Sequence, residues 1–272
     1  MNRIDRQFES ARAAGRPSLV VYLCAGDPDL QATERLVPAL AAAGADIIEL
    51  GVPFSDPLAD GPTIQAAAER ALRSGTTLAG ILEMVGRLRA QRCEVPLVLM
   101  GYMNPIVRMG VEAFVGRSAE AGVDGFIVPD LPLEEAEPLG DAAAAKGLAL
   151  VLLAAPTTPP ERLRRIGQQT RGFLYFVSVT GVTGARAALP ADLPARLDAV
   201  REASAAPVAI GFGISAPDQA RALAEHADAV VVGSALVAEI ARCGGKPDGP
   251  VALVRALAEA VHGVRSVSRA PR

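Results

Sequence analysis

Residues 46–65 read DIIELGVPFSDPLADGPTIQ and are the most informative part of the sequence. This stretch opens on a short, continuous apolar run, which is typical of a strand buried on both faces of a parallel sheet. A proline-rich loop follows, and proline stiffens a loop while preventing the strand from continuing. The pattern then becomes helical, and we predict a helix over residues 62–74. The stretch therefore predicts one complete strand–loop–helix unit.

The strand of this unit carries a carboxylate, Glu49, among isoleucine and leucine side chains. Burying a carboxylate is costly unless it is paired, hydrogen-bonded or neutralised. The loop adds two further carboxylates, Asp56 and Asp60. A strand-end acid facing a loop acid predicts an acid–base pair, because such a site works when its two carboxylates have separated pKa values. Structural alternatives stay open, since backbone N–H groups can cap Glu49 and Asp-Gly-Pro is a common turn and helix-start signal.

Similar units recur along the chain, which indicates a (β/α)8 TIM barrel with an extra helix, residues 2–14, before the first strand. A doubly wound open sheet is the alternative, although no GxGxxG follows the first strand. The predicted strands are residues 19–25, 46–50, 97–100, 125–128, 149–153, 173–177, 208–211 and 229–232. The predicted helices between and after them are residues 31–43, 62–74, 77–91, 110–121, 133–146, 159–168, 192–203, 216–225, 234–242 and 250–262.

Composition limits what the protein does and where it works. We predict one barrel domain, residues 1–264, and a frayed tail, residues 265–272. The net charge is −3 and no block of basic residues occurs, so a nucleic-acid partner is not expected. No apolar run reaches the roughly 18 residues of a membrane span, and no signal peptide is visible. Three cysteines, far apart and without metal-ligand spacing, are typical of reduced thiols, so we expect a cytoplasmic protein.

The inventory of reactive side chains narrows the chemistry further. There are two histidines and two lysines, and neither lysine, Lys146 or Lys246, follows a strand. A histidine-based metal site, a Ser–His triad and a Schiff-base lysine are therefore poorly supported. Carboxylates, with the help of a tyrosine, must then carry any proton transfers. Tyr175 is the candidate tyrosine, although it lies in mid-strand, where core packing is the usual outcome.

Three glycine-containing segments follow the last three predicted strands, at residues 180–184, 211–215 and 233–234. Glycine lets backbone N–H groups approach an anion closely, and a helix that starts at Ser234 would add its positive end. Barrels often bind phosphate after their seventh and eighth strands. The segments therefore predict a phosphate site, and the alternative is that they are ordinary turn glycines.

The run ELGVPFSDPLADGPTIQ, residues 49–65, closely resembles the signature of the tryptophan synthase alpha subunit family. The resemblance extends over nearly the whole chain and includes AGDPD, MGYMNP, GVDGFIVPDLP, SVTGVTGAR and GFGIS. It implies cleavage of indole-3-glycerol phosphate into indole and glyceraldehyde 3-phosphate. It also implies that Glu49 transfers protons, that Asp60 accepts the indole N–H and stabilises a cation, and that Tyr175 supports them. For the phosphate the resemblance implies Gly184, Gly213, Gly233 and Ser234, and for the aromatic pocket Tyr22, Ile64, Met100, Ile127 and Phe212.

The same resemblance implies a partner, a tryptophan synthase beta subunit in an alpha2beta2 assembly. The partner would hold pyridoxal phosphate, so neither a cofactor nor a metal is expected in this chain. Contact is expected through Asp56, Pro57 and a loop at residues 103–105, and a lid is expected at residues 178–190. Three alternatives stay open. They are another phosphate-sugar barrel such as a phosphoribosyl isomerase or a prenyl-glycerol phosphate synthase, a barrel kept mainly as a regulatory partner, and a free-standing indole-producing lyase.

Overall fold

The computed structural model describes residues 1–177, 193–211 and 213–265. In this part of the chain, eight parallel strands close into a barrel in chain order, which confirms the predicted barrel. The open-sheet alternative is wrong, because the first strand pairs with the last, Ser18 opposite Ala229. The strands are β1 (Ser18–Cys24), β2 (Ile47–Gly51), β3 (Leu97–Met100), β4 (Gly125–Ile127), β5 (Ala149–Ala154), β6 (Leu174–Val177), β7 (Val208–Gly211) and β8 (Ala229–Val232).

Helices follow the strands along the chain, and one precedes the first strand. The helices are α1 (Arg3–Ala13), α2 (Leu30–Ala42), α3 (Pro62–Arg73), α4 (Leu78–Ala90), α5 (Met103–Met109), α6 (Val111–Ala121), α7 (Glu137–Ala145), α8 (Pro160–Gln169), α9 (Leu193–Ala203), α10 (Pro217–Ala224), α11 (Ser234–Arg242) and α12 (Asp248–His262). The predicted tail, residues 265–272, lies outside the described residues except for Arg265. None of the helices described is long and apolar enough to cross a membrane.

Two predicted elements differ from the structure. The segment predicted as a loop at residues 103–105 is the first turn of helix α5. Pro105 is tolerated there because the first turn of a helix does not use its backbone N–H groups. The helix predicted over residues 133–146 is instead a 3₁₀ turn, Leu133–Glu135, followed by α7. Pro138 explains the break, since its ring would clash with the carbonyl group four residues earlier in a continuous helix.

The barrel interior is filled by side chains that alternate along the strands. Inward-facing residues such as Val20, Ile47 and Val98 form one buried cluster, and outward-facing neighbours such as Val21 and Ile48 pack beneath the helices. Both faces of β1 and β2 are buried throughout. This double burial explains why their sequences are continuously apolar rather than alternating.

Helix α1 closes the amino end of the barrel. Ile4 and Phe8 are buried in the interior cluster, and the Phe8 ring lies 5.9 Å from that of Phe173. Gly125 makes room for this plug, because a Cβ there would lie 2.7 Å from the Ala149 carbonyl oxygen and 3.3 Å from Ile4. With the amino end filled, the carboxyl end is left for a site.

The amino end is also held by side chains that accept backbone N–H groups. Before each even-numbered strand, an aspartate or threonine bonds to the N–H of a residue in the preceding odd-numbered strand. The pairs are Asp46 with Leu19 at 2.8 Å, Asp124 with Leu97 at 2.8 Å, Thr170 with Leu152 at 3.0 Å and Asp228 with Val208 at 2.8 Å. Buried backbone N–H groups need an acceptor, and these side chains provide one where the strands begin.

The Asp46 carboxylate also bonds to several side chains. It accepts bonds from Arg16 at 2.8 and 2.9 Å and from Gln7 at 2.7 Å, and it lies 2.7 Å from His262. Burial alone would raise its pKa, but the bonds to His262, Arg16 and Leu19 outweigh burial and hold the pKa below the ordinary value of 3.8. Asp46 therefore joins α1, β1 and α12 through a stabilised negative charge.

We expect Asp46→Asn to lower the free energy of unfolding by about 3 kcal/mol at neutral pH, because removing one member of a buried charge network leaves its partners unpaired. A depressed pKa stabilises the fold above the ordinary pKa, so the difference from wild type should shrink only below about pH 4. Urea unfolding from neutral to acidic pH measures it. The exposed Asp141→Asn serves as control, and equal small effects of both substitutions would contradict this role.

Candidate active site

Glu49 lies inside the barrel near its carboxyl end. It occupies an inward position of β2 between Ile47 and Gly51, and it stands opposite Tyr22 of β1 and Val98 of β3. Its side chain is fully buried, and neither carboxyl oxygen has a hydrogen-bond partner among the residues that the structure describes. Burial raises the pKa of Glu49 to about 8. At neutral pH this side chain is therefore a neutral acid with a proton to give.

Two tyrosines flank this carboxyl group. Tyr22 is buried, and Tyr175 packs against the interior cluster from β6 with part of its surface accessible. Removal from water raises the pKa of both hydroxyls, and the charge of Glu49 raises each of them further. Both phenols therefore stay neutral and can act as hydrogen-bond groups beside Glu49.

Glycines at the ends of two strands give these tyrosines their space. A Cβ at Gly51 would lie 2.0 Å from the Tyr22 hydroxyl oxygen, and a Cβ at Gly211 would lie 2.6 Å from that of Tyr175. Such distances are far below van der Waals contact, so each ring occupies the place of a side chain on the neighbouring strand. The two glycines therefore set the positions of both rings around Glu49.

Asp60 lies in the loop between β2 and α3, at the rim of the barrel. Burial raises its pKa, and a hydrogen bond from the Tyr102 hydroxyl opposes that rise. The same hydroxyl accepts the Ala59 N–H at 3.0 Å, and the Tyr102 ring lies 5.5 Å from that of Phe54. Tyr102 therefore holds both the loop and the carboxylate of Asp60.

Tyr102 is the residue that the sequence analysis missed. It is buried, and it lies two residues beyond the end of β3 in the MGYMNP motif. An aromatic residue with a hydroxyl at the carboxyl end of a barrel strand is the signal that could have identified it. With Tyr102, all three tyrosines of the chain lie at this end of the barrel.

Most residues predicted for an aromatic pocket are brought together. Tyr22, Ile64 and Met100 belong to one apolar cluster with the alanine face of α3, and Ile127 joins Met100 in the interior cluster. Helix α3 is fixed in place by Arg70, whose guanidinium donates two bonds of 2.7 and 2.8 Å to Asp27 in the loop after β1. An apolar cluster that contains Tyr22 therefore lies beside both carboxyl groups, since both affect the pKa of Tyr22.

The residues predicted to bind phosphate are only partly described. Gly213 follows β7, and Gly233 precedes α11, which begins at Ser234 after β8. Since β7 and β8 are neighbours, Gly213 and Ser234 lie on the same part of the rim. Gly184 and Phe212, and the whole of the predicted lid at residues 178–190, lie outside the described residues. The positive end of α11 faces this rim, as an anion site requires.

Fold and site together define a (β/α)8 barrel with a buried carboxyl group near the carboxyl ends of its strands, which is where enzymes of this fold hold their active sites. The sequence profile of the tryptophan synthase alpha chain family matches residues 8–267. The chain therefore belongs to the tryptophan synthase alpha chain family, whose members catalyse a lyase reaction in tryptophan synthesis.

Individual relatives agree with this assignment. The tryptophan synthase alpha chain of Caulobacter vibrioides is 54% identical over 239 residues, 88% of this chain and 87% of the relative. That of Geobacter sulfurreducens is 54% identical over 237 residues, 87% of this chain and 89% of the relative. A solved tryptophan synthase subunit alpha from Legionella pneumophila is 38% identical with a TM-score of 0.89, covering 97% of this chain and 100% of that one. A Mycobacterium tuberculosis tryptophan synthase structure is 39% identical with a TM-score of 0.88, covering 96% and 98%.

We expect Glu49→Gln to stabilise the fold increasingly as pH rises. A raised folded pKa means that the unfolded state ionises first, so wild type loses stability between the ordinary pKa of 4.5 and about 8. Glutamine keeps the shape without ionising, and its advantage should grow to about 4–5 kcal/mol near pH 8. Urea unfolding across this range, with exposed Glu112→Gln as control, measures it. A pH-independent difference would show that Glu49 is not buried as an acid.

Proposed function

We propose that this chain cleaves indole-3-glycerol phosphate into indole and glyceraldehyde 3-phosphate. The observation that carries the proposal is Glu49, a buried carboxyl group with a raised pKa in an apolar space beside Asp60. Breaking the carbon–carbon bond of this substrate needs a place for its electron pair. Protonation of indole C3 creates that place, and a neutral acid in an apolar pocket is the group that can supply the proton.

Glu49 acts twice in the proposed reaction. Its carboxyl proton goes to indole C3 and gives an indoleninium cation. The resulting carboxylate then takes the proton of the hydroxyl next to the ring. The bond between C3 and the carbinol carbon breaks, its electron pair returns to the ring, and the carbinol becomes the aldehyde of glyceraldehyde 3-phosphate. Glu49 is protonated again at the end, so the cycle needs no external acid.

Asp60 and the tyrosines support this step. The Asp60 carboxylate accepts the indole N–H and offsets the positive charge that develops on the ring. Tyr102 keeps Asp60 at the rim through its hydroxyl. Tyr175 and Tyr22 limit the space around Glu49, so that the ring enters with C3 toward the acid. The apolar cluster of Tyr22, Ile64 and Met100 receives the benzene ring of the substrate.

The phosphate binds at the neighbouring edge of the rim. We assign it to backbone N–H groups of Gly184, Gly213, Gly233 and Ser234, with the positive end of α11 behind them. Phe212 completes the aromatic pocket in this proposal. No metal or cofactor takes part in this chain, and that also stays a prediction. A cytoplasmic location is part of the proposal too, supported by three cysteines that are free thiols.

Glu49→Gln should lower kcat for indole release by about 10²–10⁴-fold, because glutamine cannot exchange the proton. In wild type, kcat/KM should fall above about pH 8, where the carboxyl group of Glu49 loses its proton. A spectrophotometric assay of indole from indole-glycerol phosphate measures both, with Glu112→Gln as the control that keeps full activity. A folded Glu49→Gln protein within a few-fold of wild type would refute the assignment.

The family implies a beta-subunit partner, and we propose that it docks on the rim beside Asp60. The loop after β2 exposes 86% of Leu58, and α5 exposes 62% of Val107. The Tyr102 bond to Ala59 joins that loop to the start of α5, so the two apolar side chains lie on connected elements. Asp56 and Pro57 stand beside Leu58 in the same loop. The partner would hold pyridoxal phosphate, join indole to serine and complete an alpha2beta2 assembly.

Leu58→Asp should weaken association with the cognate beta subunit at least about 10-fold, because a charge would be buried in an apolar contact. Cleavage by the isolated chain should stay within about two-fold of wild type. Sedimentation or calorimetric titration measures the affinity, and Ala144→Asp, at the far end of α7, is the control. Unchanged affinity would place the contact elsewhere. Fast cleavage by wild type with no complex at micromolar concentration would favour the free-standing lyase.

A further inference from the structure

Asp130 lies directly beyond the carboxyl end of β4, in a short turn. The Leu131 N–H donates to the Val128 carbonyl at 3.1 Å, and Pro129 occupies the second position of the turn, where its fixed φ is suited. The Asp130 carboxylate accepts the Met103 N–H, at 3.0 Å to one oxygen and 3.2 Å to the other. A rigid turn in one barrel unit therefore presents a carboxylate to the preceding unit.

This carboxylate takes the place of a helix cap. Met103 is the first residue of α5, and Tyr102, the capping residue, makes no capping bond with its side chain. The first N–H groups of a helix need acceptors, and negative charge is favourable there. Asp130, in the turn after β4, provides the hydrogen-bond acceptor that the capping residue of α5 does not provide.

The first turn of α5, which Asp130 caps, lies next to Tyr102, and the Tyr102 hydroxyl interacts with Asp60. On one side, the Gly101 N–H donates to the Ile127 carbonyl at 3.0 Å. On the other side, Asp130 fixes Met103. Tyr102 lies between these two anchored positions. Its hydroxyl accepts the Ala59 N–H and is close enough to the Asp60 carboxylate to affect its pKa. The direction of the Tyr102 side chain therefore depends on a backbone that β4 and its turn hold from both sides.

We propose that Asp130 is a positioning residue for Asp60, acting through the first turn of α5 and Tyr102. The proposal rests on the proposed function only in giving Asp60 a role in the reaction. The physical link from Asp130 to Tyr102 is independent of any activity. Loss of the Asp130 carboxylate should let the start of α5 move, and a displacement of about 1 Å at a catalytic group can lower a rate by up to about 100-fold.

The first test measures the link without catalysis. Because the chain has three tyrosines, replacement by 3-fluorotyrosine gives one fluorine resonance for each, and Tyr102→Phe identifies that of Tyr102. Asp130→Ala should shift the Tyr102 resonance and leave those of Tyr22 and Tyr175 in place. Asp29→Ala is the matched control. It removes a 2.7 Å capping bond to Ala32 at the start of α2, and no resonance should move. An unmoved Tyr102 resonance in Asp130→Ala overturns the proposal.

The second test uses kinetics. Asp130→Ala should lower kcat about 10-fold with KM nearly unchanged, whereas Asp29→Ala should lower neither. The double variant Asp130→Ala/Tyr102→Phe should be no slower than Tyr102→Phe alone, because both act on one path. Losses that multiply would overturn the proposal. Asp130→Asn, which keeps the size and removes the charge, should shift the same resonance if the alanine variant does not fold. If wild type releases no indole, the proposed function fails, and the fluorine spectra still decide the role of Asp130.

Discussion

The limited space inside the barrel determines how each inward-facing side chain is placed. Ile4 and Phe8 fill the amino end, inward-facing side chains fill the middle, and two tyrosine rings lie across Gly51 and Gly211 near the carboxyl end. Glu49 stands between the filled middle and these rings, where none of the described residues offers its carboxyl group a bond. Its raised pKa follows from that position alone, because burial is the cause of the shift.

The carboxylates at the two ends of the second strand have opposite environments, and their pKa values shift in opposite directions. Asp46, at the amino end, interacts with His262, Arg16 and the Leu19 N–H, and these groups lower its pKa. Glu49, three residues later, has no such partner in the described part of the chain, and its pKa is raised. The amino end therefore contributes stability, while the carboxyl end contains a buried acid that costs stability when it ionises. Opposed environments of this kind are typical of catalytic sites.

Much of the fold could be predicted because burial on both faces leaves continuous apolar runs in the sequence. The burial of Glu49 could be predicted for the same reason, since its neighbours along β2 are apolar. Helix α5 was missed because seven residues give no helical period, and its cap comes from Asp130 in another unit. The role of Tyr102 depends on contacts between loops of successive units, which no spacing in one sequence records. The break before α7 was readable from Pro138 alone.

The position of the three tyrosines has an optical consequence. Because the chain contains no tryptophan, its near-ultraviolet absorption beyond the weak phenylalanine band comes from Tyr22, Tyr102 and Tyr175. All three side chains lie at the carboxyl end of the barrel. A change of polarity there therefore alters the whole band, with no contribution from the remaining surface. In the proposed function an indole ring binds at this end of the barrel. Its fluorescence is readily detected there, because the chain has no tryptophan and only the weaker emission of three tyrosines.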